Sequence, residues 1–171
     1  MKNSYITASN PSNLIEEVIV RKLVIHKDDS GILVETLRTD WGEVYADNPF
    51  AMQYMSVTPS GLIRDEDKWH VHKKQIDRFV CVSGKIVTAL FDPREGSKTK
   101  GILNLFLMGP EKEEEMYMLL IPKDVFHGFA VVSKEQASLL NFPTQLYTGD
   151  DEGRVENKEL NWREILNDFG I

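Results

Sequence analysis

The sequence predicts an all-β domain of the sandwich, jelly-roll or barrel type, followed by one short helix. Many short apolar runs rich in β-branched residues follow one another at close spacing, turn signals separate them, and helical periodicity is confined to the C-terminal end. A chain of 171 residues is long enough to bury a core in one domain. We expect a single domain over 1–171, divided into an N-terminal arm (1–30), a β core (31–148) and a C-terminal tail (149–171) that contains the helix.

The first part of the chain carries three predicted strands. Residues 13–25, NLIEEVIVRKLVI, begin as either a helical turn or an arm strand and end as a strand. The Asp-Asp-Ser-Gly turn at 28–31 leads into GILVETLR, which we predict to be a strand over 31–38. The run AMQYMSV, residues 51–57, is a further strand, and the Pro-Ser-Gly turn at 59–61 ends it.

The central part of the chain predicts hairpins. Ser83-Gly84 separates two apolar runs, RFVCV and KIVTALF, and is typical of a hairpin turn. Four more apolar runs complete the series, and they are ILNLFLM, MYMLLIP, HGFAVVS and SLLNF. Only NWREILNDFG has helical period, with Asn161 as the expected N-cap and Gly170 as the stop signal.

Composition excludes several classes of protein. The net charge of -7 argues against a general nucleic-acid surface, because phosphate binding needs a basic excess. A small anionic ligand still needs only a local basic cluster, and Arg64, Lys68, Lys73, Lys74 and Arg78 form one in the sequence. The single cysteine, Cys81, has no partner for an internal disulfide. No apolar run approaches the length of a membrane span, so we expect a cytoplasmic protein without a nucleic-acid or membrane partner.

The segment KWHVHKKQIDRFVCVSG, residues 68–84, contains the most informative pattern. His70 and His72 share one face of a strand, because successive strand residues point to opposite faces. With Asp77 and Gly84, the spacing resembles the first motif of the cupin superfamily, which usually has glutamate at the position of Asp77. IPKDVFHGF resembles the second cupin motif and puts His127 at its histidine position. The resemblance implies a cupin jelly roll, or double-stranded β-helix, with these three histidines facing one cavity.

Most of the chain, from about Gly31 to Trp162, is similar to the dTDP-4-dehydrorhamnose 3,5-epimerase family. DPREGSKTKG resembles that family's D-x-R-x-x-S-x-T-x-G, and LLIPKDVFHGFAVVS resembles its L-x-I-P-x-G-F-A-H-G-F-x-V-L-S. The resemblance implies a nucleotide-sugar substrate and a homodimer in which N-terminal strands are exchanged. It also implies four substrate-binding positions, which are Glu35, Gln53, Arg64 and Tyr147.

The chain departs from the epimerase pattern at several positions. Ser30 stands where the family has an arginine, and Asp67 falls at the position of the catalytic histidine when counted without a gap from Arg64. The family's catalytic tyrosine falls near Leu140 or Asn141, and neither supplies a phenol. A second resemblance offers other candidate catalytic residues in their place. HVHKKQIDRFVCVSG is similar to the H-A-H-K-K segment of sugar-nucleotide 3,4-ketoisomerases. In that group both histidines of H-x-H are implicated in proton transfer.

These observations predict an epimerase or isomerase of a nucleotide-diphosphate-linked 4-keto-6-deoxy sugar, in deoxysugar or surface-polysaccharide biosynthesis. A hydrogen beside a ketone is weakly acidic, and histidine titrates near neutral pH, so we expect His70, His72 and His127 to form the catalytic set without a cofactor. Lys74 shares strand parity with the first two and is a further candidate for substrate binding. Two alternatives stay open. One is a divalent metal held by these three histidines with Asp77, and the other is an inactive sugar-nucleotide-binding cupin.

Overall fold

A computed structural model of the protein describes residues 3–45 and 48–171, so that Met1, Lys2, Ala46 and Asp47 lie outside the described part. It contains β-strands and a short C-terminal helix. In chain order the elements are β1 (Ile19–Lys22), β2 (Ile25–Asp28), β3 (Gly31–Val34), β4 (Tyr54–Thr58), β5 (Lys68–His72), β6 (Asp77–Ser83), β7 (Ile86–Phe91), β8 (Leu103–Met108), β9 (Tyr117–Ile121), β10 (Phe126–Val131), β11 (Ala137–Asn141), β12 (Glu152–Glu156) and α1 (Trp162–Asp168).

Two five-stranded antiparallel sheets make up the jelly roll. The first sheet has the order β1-β9-β6-β11-β4, and the second has the order β12-β5-β10-β7-β8. Apolar side chains of both sheets form a shared core, in which Phe79 of the first sheet packs on Phe129 of the second with ring centroids 6.4 Å apart. The strands β2 and β3 form a separate hairpin. The predicted all-β cupin jelly roll with a short C-terminal helix is confirmed.

The alternation predicted for the histidine strand is present in β5. Trp69 is fully buried and packs on Trp162 of α1, with ring centroids 6.3 Å apart. His70 and His72 project from the opposite face into the space between the two sheets. The helix therefore covers the outer face of the second sheet, while its inner face carries the imidazoles.

The helix ends follow the predicted signals. The Asn161 side chain accepts a hydrogen bond from the backbone N–H of Arg163, which satisfies a donor that has no partner within the helix. Gly170 follows with a φ of 69°, the left-handed conformation that suits glycine just beyond a helix. None of the helices in the described ranges is long and apolar enough to cross a membrane.

Three elements differ from the prediction. The run over 13–25 was expected to end as a single strand, but β1 ends at Lys22 and a separate strand, β2, begins at Ile25. The strand expected over 31–38 ends at Val34, and Arg38 turns back to form ion pairs with Glu35 and Asp40. The strand β12 was not predicted, because Glu152–Glu156 is mostly polar and lies at the edge of its sheet. Since β12 pairs with β5, the C-terminal tail contributes directly to the surroundings of the histidines.

The β6–β7 turn brings two backbone segments close together. Gly84 has a φ of 68°, and a Cβ at this position would lie 2.5 Å from the carbonyl oxygen of Gln136. A side chain is therefore excluded here by both conformation and space.

Candidate active site

The two sheets enclose a cavity of about 480 Å³ that contains all three predicted catalytic histidines. The second sheet supplies His70, His72 and His127, and the first sheet supplies residues of β4, β6 and β11. A second cavity of about 300 Å³ adjoins it and shares four lining residues with it, namely Tyr54, His70, His72 and Glu152. Together the two cavities form one cleft with the histidines near its middle.

Strand register holds the histidines together. His127 of β10 is the cross-strand partner of His70 of β5, and its ring centroid lies 6.0 Å from that of His70 and 5.6 Å from that of His72. His127 is 6% exposed, whereas the other two imidazoles are partly exposed to the cleft. The predicted grouping of His70, His72 and His127 therefore matches the geometry, while their chemical roles remain a prediction.

Backbone carbonyls determine the tautomers of two of these rings. His72 Nδ1 lies 3.1 Å from the carbonyl oxygen of Asp151, and His127 Nδ1 lies 3.2 Å from that of Val125. A carbonyl oxygen only accepts, so each Nδ1 carries a hydrogen, and in the uncharged form of each ring the lone pair is on Nε2. Both Nε2 atoms face Asp77 Oδ2, at 3.6 Å from His72 and 3.4 Å from His127.

Asp77 is buried and held by amide side chains. Its Oδ1 accepts hydrogen bonds from Gln75 Nε2 and Asn141 Nδ2, each at 2.7 Å. Burial lowers the pKa of His127 to about 4, and the Asp77 charge opposes this shift. His127 is therefore uncharged at neutral pH.

His70 has a different environment, since its Nε2 pairs with Asp65 Oδ2. Asp65 has a φ of 55°, an uncommon conformation for a residue other than glycine, in a turn closed by the bond from Lys68 N to Asp65 O at 2.9 Å. Arg154 of β12 lies beside this pair, with Nη2 at 2.7 Å from Glu152 Oε1 and Nε at 3.7 Å from Asp65 Oδ2. Pairing with His70 and Arg154 outweighs the effect of burial and holds the pKa of Asp65 below its usual value.

Arg64 is the predicted cation that lines the cavity. Its backbone N–H bonds to the carbonyl of Phe129, which ties residue 64 to β10. The guanidinium donates to Thr58 Oγ1 at 3.2 Å and to Ser56 Oγ at 3.0 Å. Because these partners are neutral hydroxyls, the positive charge is available to an anionic ligand.

The other predicted binding residues lie in different places. Tyr147 lines the second cavity and is 70% exposed. Gln53 is exposed, Glu35 pairs with Arg38, and neither is among the residues that line the two cavities. Lys74 is also outside them.

Lys74 does not share the strand face of His70 and His72, contrary to the prediction, because β5 ends at His72. Asp151 accepts hydrogen bonds from the backbone N–H groups of residues 73, 74 and 75, and these bonds turn the chain. Arg78 of the same basic cluster points away from the histidines. Its guanidinium is fully buried and donates to the carbonyls of residues 44, 48 and 142.

Besides Ser56, the cavity contains four polar residues that were not predicted from the sequence, namely Tyr54, Asp65, Glu152 and Arg154. Asp65 lies in a turn, and β12 was not recognised as a strand, so three of them carried no usable signal. Tyr54 lay within the strand predicted over 51–57. The only indication of its position was that it shares a strand face with Ser56 and Thr58.

Comparisons with known proteins identify the family and agree with the fold. The family model for dTDP-4-dehydrorhamnose 3,5-epimerase matches residues 12–167. The chain is 41% identical over 138 residues to a probable low-salt glycan biosynthesis epimerase, Agl13, of Haloferax volcanii, which covers 80% of this chain and 83% of that protein. It is 34% identical over 155 residues to the spore coat polysaccharide biosynthesis protein SpsL of Bacillus subtilis, which covers 87% and 97%.

A solved structure supports the same architecture. The 3,5-epimerase RmlC from Legionella pneumophila, in complex with dTDP-4-keto-L-rhamnose, superimposes with a TM-score of 0.74. Sequence identity is 20%, and the match covers 95% of this chain and 81% of that one. The jelly roll is therefore shared across most of both chains.

Proposed function

The chain belongs to the dTDP-4-dehydrorhamnose 3,5-epimerase family, whose members are isomerases of nucleotide-linked 4-keto-6-deoxy sugars. We propose that its cavity histidines form the catalytic set, in which His70 and His72 transfer protons and His127 orients them or contacts the ligand. The observation that supports this most directly is their convergence from two neighbouring strands on one wall of the cleft. The relatives' names point to polysaccharide biosynthesis as the pathway.

The proposed reaction starts with removal of a proton from the carbon next to the ketone. His70 or His72 takes this proton, because an imidazole is a competent base near neutral pH and both rings face the cleft. Asp65 orients the His70 ring and stabilises the imidazolium that forms. The resulting enolate carries negative charge, which Arg64 on the same cavity is placed to balance.

We assign substrate recognition to the two ends of the cleft. Arg64, whose charge is bonded only to hydroxyls, is the proposed contact for the diphosphate or the enolate. Tyr147, at the exposed end of the second cavity, is the proposed contact for the nucleotide. We assign no substrate contact to Gln53, Glu35 or Lys74 within the single chain, since they lie outside both cavities.

The proposal is tested by incubating the protein with dTDP-4-keto-6-deoxyglucose in deuterated water and following the sugar by NMR. The wild-type protein is expected to exchange the hydrogen next to the ketone and to form an epimer. His70→Ala and His72→Ala are each expected to lower turnover by about 100-fold or more. His26→Ala, on the exposed β2 strand, is the matched control. Equal turnover in all four proteins would refute the assignment.

A second candidate function, a metal-dependent cupin enzyme, rests on one specific observation. His72, Asp77 and His127 offer ligand atoms within 4.8 Å of one another, and the two Nδ1–H groups are held by carbonyls as metal-bound histidines usually are. Two histidines and one carboxylate suit a divalent transition metal. His70 is not part of this cluster, because its Nε2 pairs with Asp65. A bound metal would polarise the ketone oxygen.

Elemental analysis distinguishes the two candidates. Under the first, epimerisation persists after dialysis against a chelator. A stoichiometric metal that is lost in His72→Ala and kept in His26→Ala, together with loss of epimerisation on chelation, would favour the second. We propose the reaction without a cofactor, in line with the family.

A homodimer is also part of the proposal. The β2–β3 hairpin is not hydrogen-bonded to either sheet, and it exposes apolar side chains, with Ile32 58% and Leu33 61% exposed. Such side chains favour contact with a second copy of the chain. Sedimentation of wild-type protein and of a variant carrying Ile32→Asp and Leu33→Asp tests this, and a monomeric wild-type protein would contradict it. The cytoplasmic location and the division into arm, core and tail stay predictions.

A further inference from the structure

The two walls of the cleft carry different chemistry. His70, His72 and His127 all belong to the second sheet, so every imidazole in the cleft approaches a bound sugar from one side. Inversion of a carbon requires that the proton be removed on one face and returned on the other. A base on one sheet therefore needs a proton donor on the facing sheet.

The facing wall presents a phenol. Tyr54 of β4 lines both cavities, and it lies directly opposite Asn141 of β11 in the strand register. Asn141 Nδ2 donates a hydrogen bond to the Tyr54 hydroxyl oxygen at 2.9 Å. Because the phenol oxygen accepts this bond, its own hydrogen is free to be donated into the cleft.

Asn141 also ties the phenol to the buried carboxylate. Its Nδ2 donates to Asp77 Oδ1 at 2.7 Å, and so one amide group positions both Tyr54 and Asp77. The Tyr54 side chain is 43% exposed, as expected for an edge strand, while its hydroxyl meets the fully buried Asn141. The position is therefore accessible to a substrate and is also fixed by a hydrogen bond.

The charges around the phenol keep it protonated. Burial raises the pKa of Tyr54, and the negative charges of Asp77 and Glu152 act in the same direction. The hydrogen bond from Asn141 and the charge of Arg64 oppose the rise without cancelling it. A phenol that is protonated at neutral pH is able to act as an acid.

We propose that Tyr54 is a catalytic acid that delivers a proton to the sugar carbon on the face opposite the histidines. In the first step the C–H bond breaks, its proton binds His70 or His72, and its electron pair forms the enolate. In the second step the enolate carbon takes the proton of the Tyr54 hydroxyl, which forms the new C–H bond and a phenolate. The phenolate then regains a proton from the imidazolium through water, so that the protein returns to its starting state.

This inference rests on the proposed function, and the test separates the two. The variants Tyr54→Phe and Tyr45→Phe are compared with wild-type protein in deuterated water, with dTDP-4-keto-6-deoxyglucose as the probe. Tyr45 packs on Phe50 outside both cavities and is the matched control. Two signals are followed by NMR, namely loss of the sugar proton next to the ketone and appearance of the epimer.

In Tyr54→Phe, hydrogen exchange next to the ketone and formation of the epimer are expected to respond differently. Tyr54→Phe keeps hydrogen exchange within a few-fold of wild type, because the histidines still remove the proton and return a deuteron on the same face. Its inversion falls by about 100-fold or more. Tyr45→Phe behaves as wild type, and unchanged thermal unfolding of Tyr54→Phe shows that the fold is intact.

Three other results would overturn the inference. Inversion by Tyr54→Phe at the wild-type rate would show that another group delivers the proton. Equal loss of exchange and inversion would show that Tyr54 supports the enolate and does not deliver the proton. A wild-type protein that neither exchanges nor inverts the sugar would contradict the proposed function itself, and the inference with it.

Discussion

Wild-type protein is expected to lose stability in weak acid, and replacement of the buried His127 by glutamine is expected to abolish a large part of this loss. The folded protein holds His127 uncharged with a pKa of about 4, because its imidazole is buried, whereas an exposed imidazole has a pKa of about 6.5. Between these two values the unfolded chain binds a proton that the folded protein does not. Stability from this group is thus fully present above about pH 6.5 and is lost as the pH falls towards about 4.

The magnitude follows from the two pKa values. A tenfold difference in proton affinity corresponds to about 1.4 kcal/mol. The difference between the pKa values of the unfolded and folded protein therefore accounts for about 3 kcal/mol of stability. About 2 kcal/mol of this is lost at about pH 5, where the unfolded imidazole is almost fully protonated. The titratable groups that face His127 are Asp77, His70 and His72, and they are present in both proteins compared.

Urea unfolding with a chelator present, at about pH 7.5 and about pH 5, measures this effect. The free energy of unfolding of wild-type protein is expected to fall by about 2 kcal/mol more than that of His127→Gln over this interval. His26→Gln serves as the control for loss of an exposed histidine. An equal pH dependence in wild-type protein and His127→Gln would refute the reasoning, since His127 would then titrate alike in both states.

Three further predictions concern hydrogen bonds and close contacts of the backbone. Arg78→Met is expected to lower the free energy of unfolding by about 3 kcal/mol or more, measured with urea, because three backbone carbonyls lose a buried charged donor; a change below about 1 kcal/mol would contradict it. Gly84→Ala is expected to cost at least about 2 kcal/mol in thermal unfolding, against little change for Gly96→Ala, which has open space around it. Asp151→Asn leaves one of the backbone amides 73–75 without its carboxylate partner, so faster hydrogen exchange is expected there, and unchanged protection would count against the assigned bonds.

The sequence predicted the part of the site that depends on strand alternation and motif spacing. His70 and His72 share a face because a strand has a period of two, and this holds wherever the strand is regular. His127 was found because its motif spacing resembled that of a known superfamily. These two signals identified one wall of the cleft.

The rest of the cleft depends on contacts between distant parts of the chain. Lys74 was misplaced because Asp151, far away in sequence, ends the strand at His72 by binding three backbone amides. Asp65 reaches His70 from a turn with an unusual φ, which no periodic pattern reveals. Arg154 was missed because β12 is polar and is stabilised by pairing with β5.

The order in which the chain is synthesised adds a consequence of the position of β12. A growing chain emerges from the ribosome with its N-terminus first. All strands of the two sheets except β12 lie within residues 1–141. A nascent chain of 141 residues therefore already contains all four histidines. Asp151, Glu152 and Arg154 arrive only with the final segment, which then pairs with β5 at the edge of its sheet. One edge of β5 therefore stays unpaired until β12 has been synthesised, and this side of the cleft is completed last.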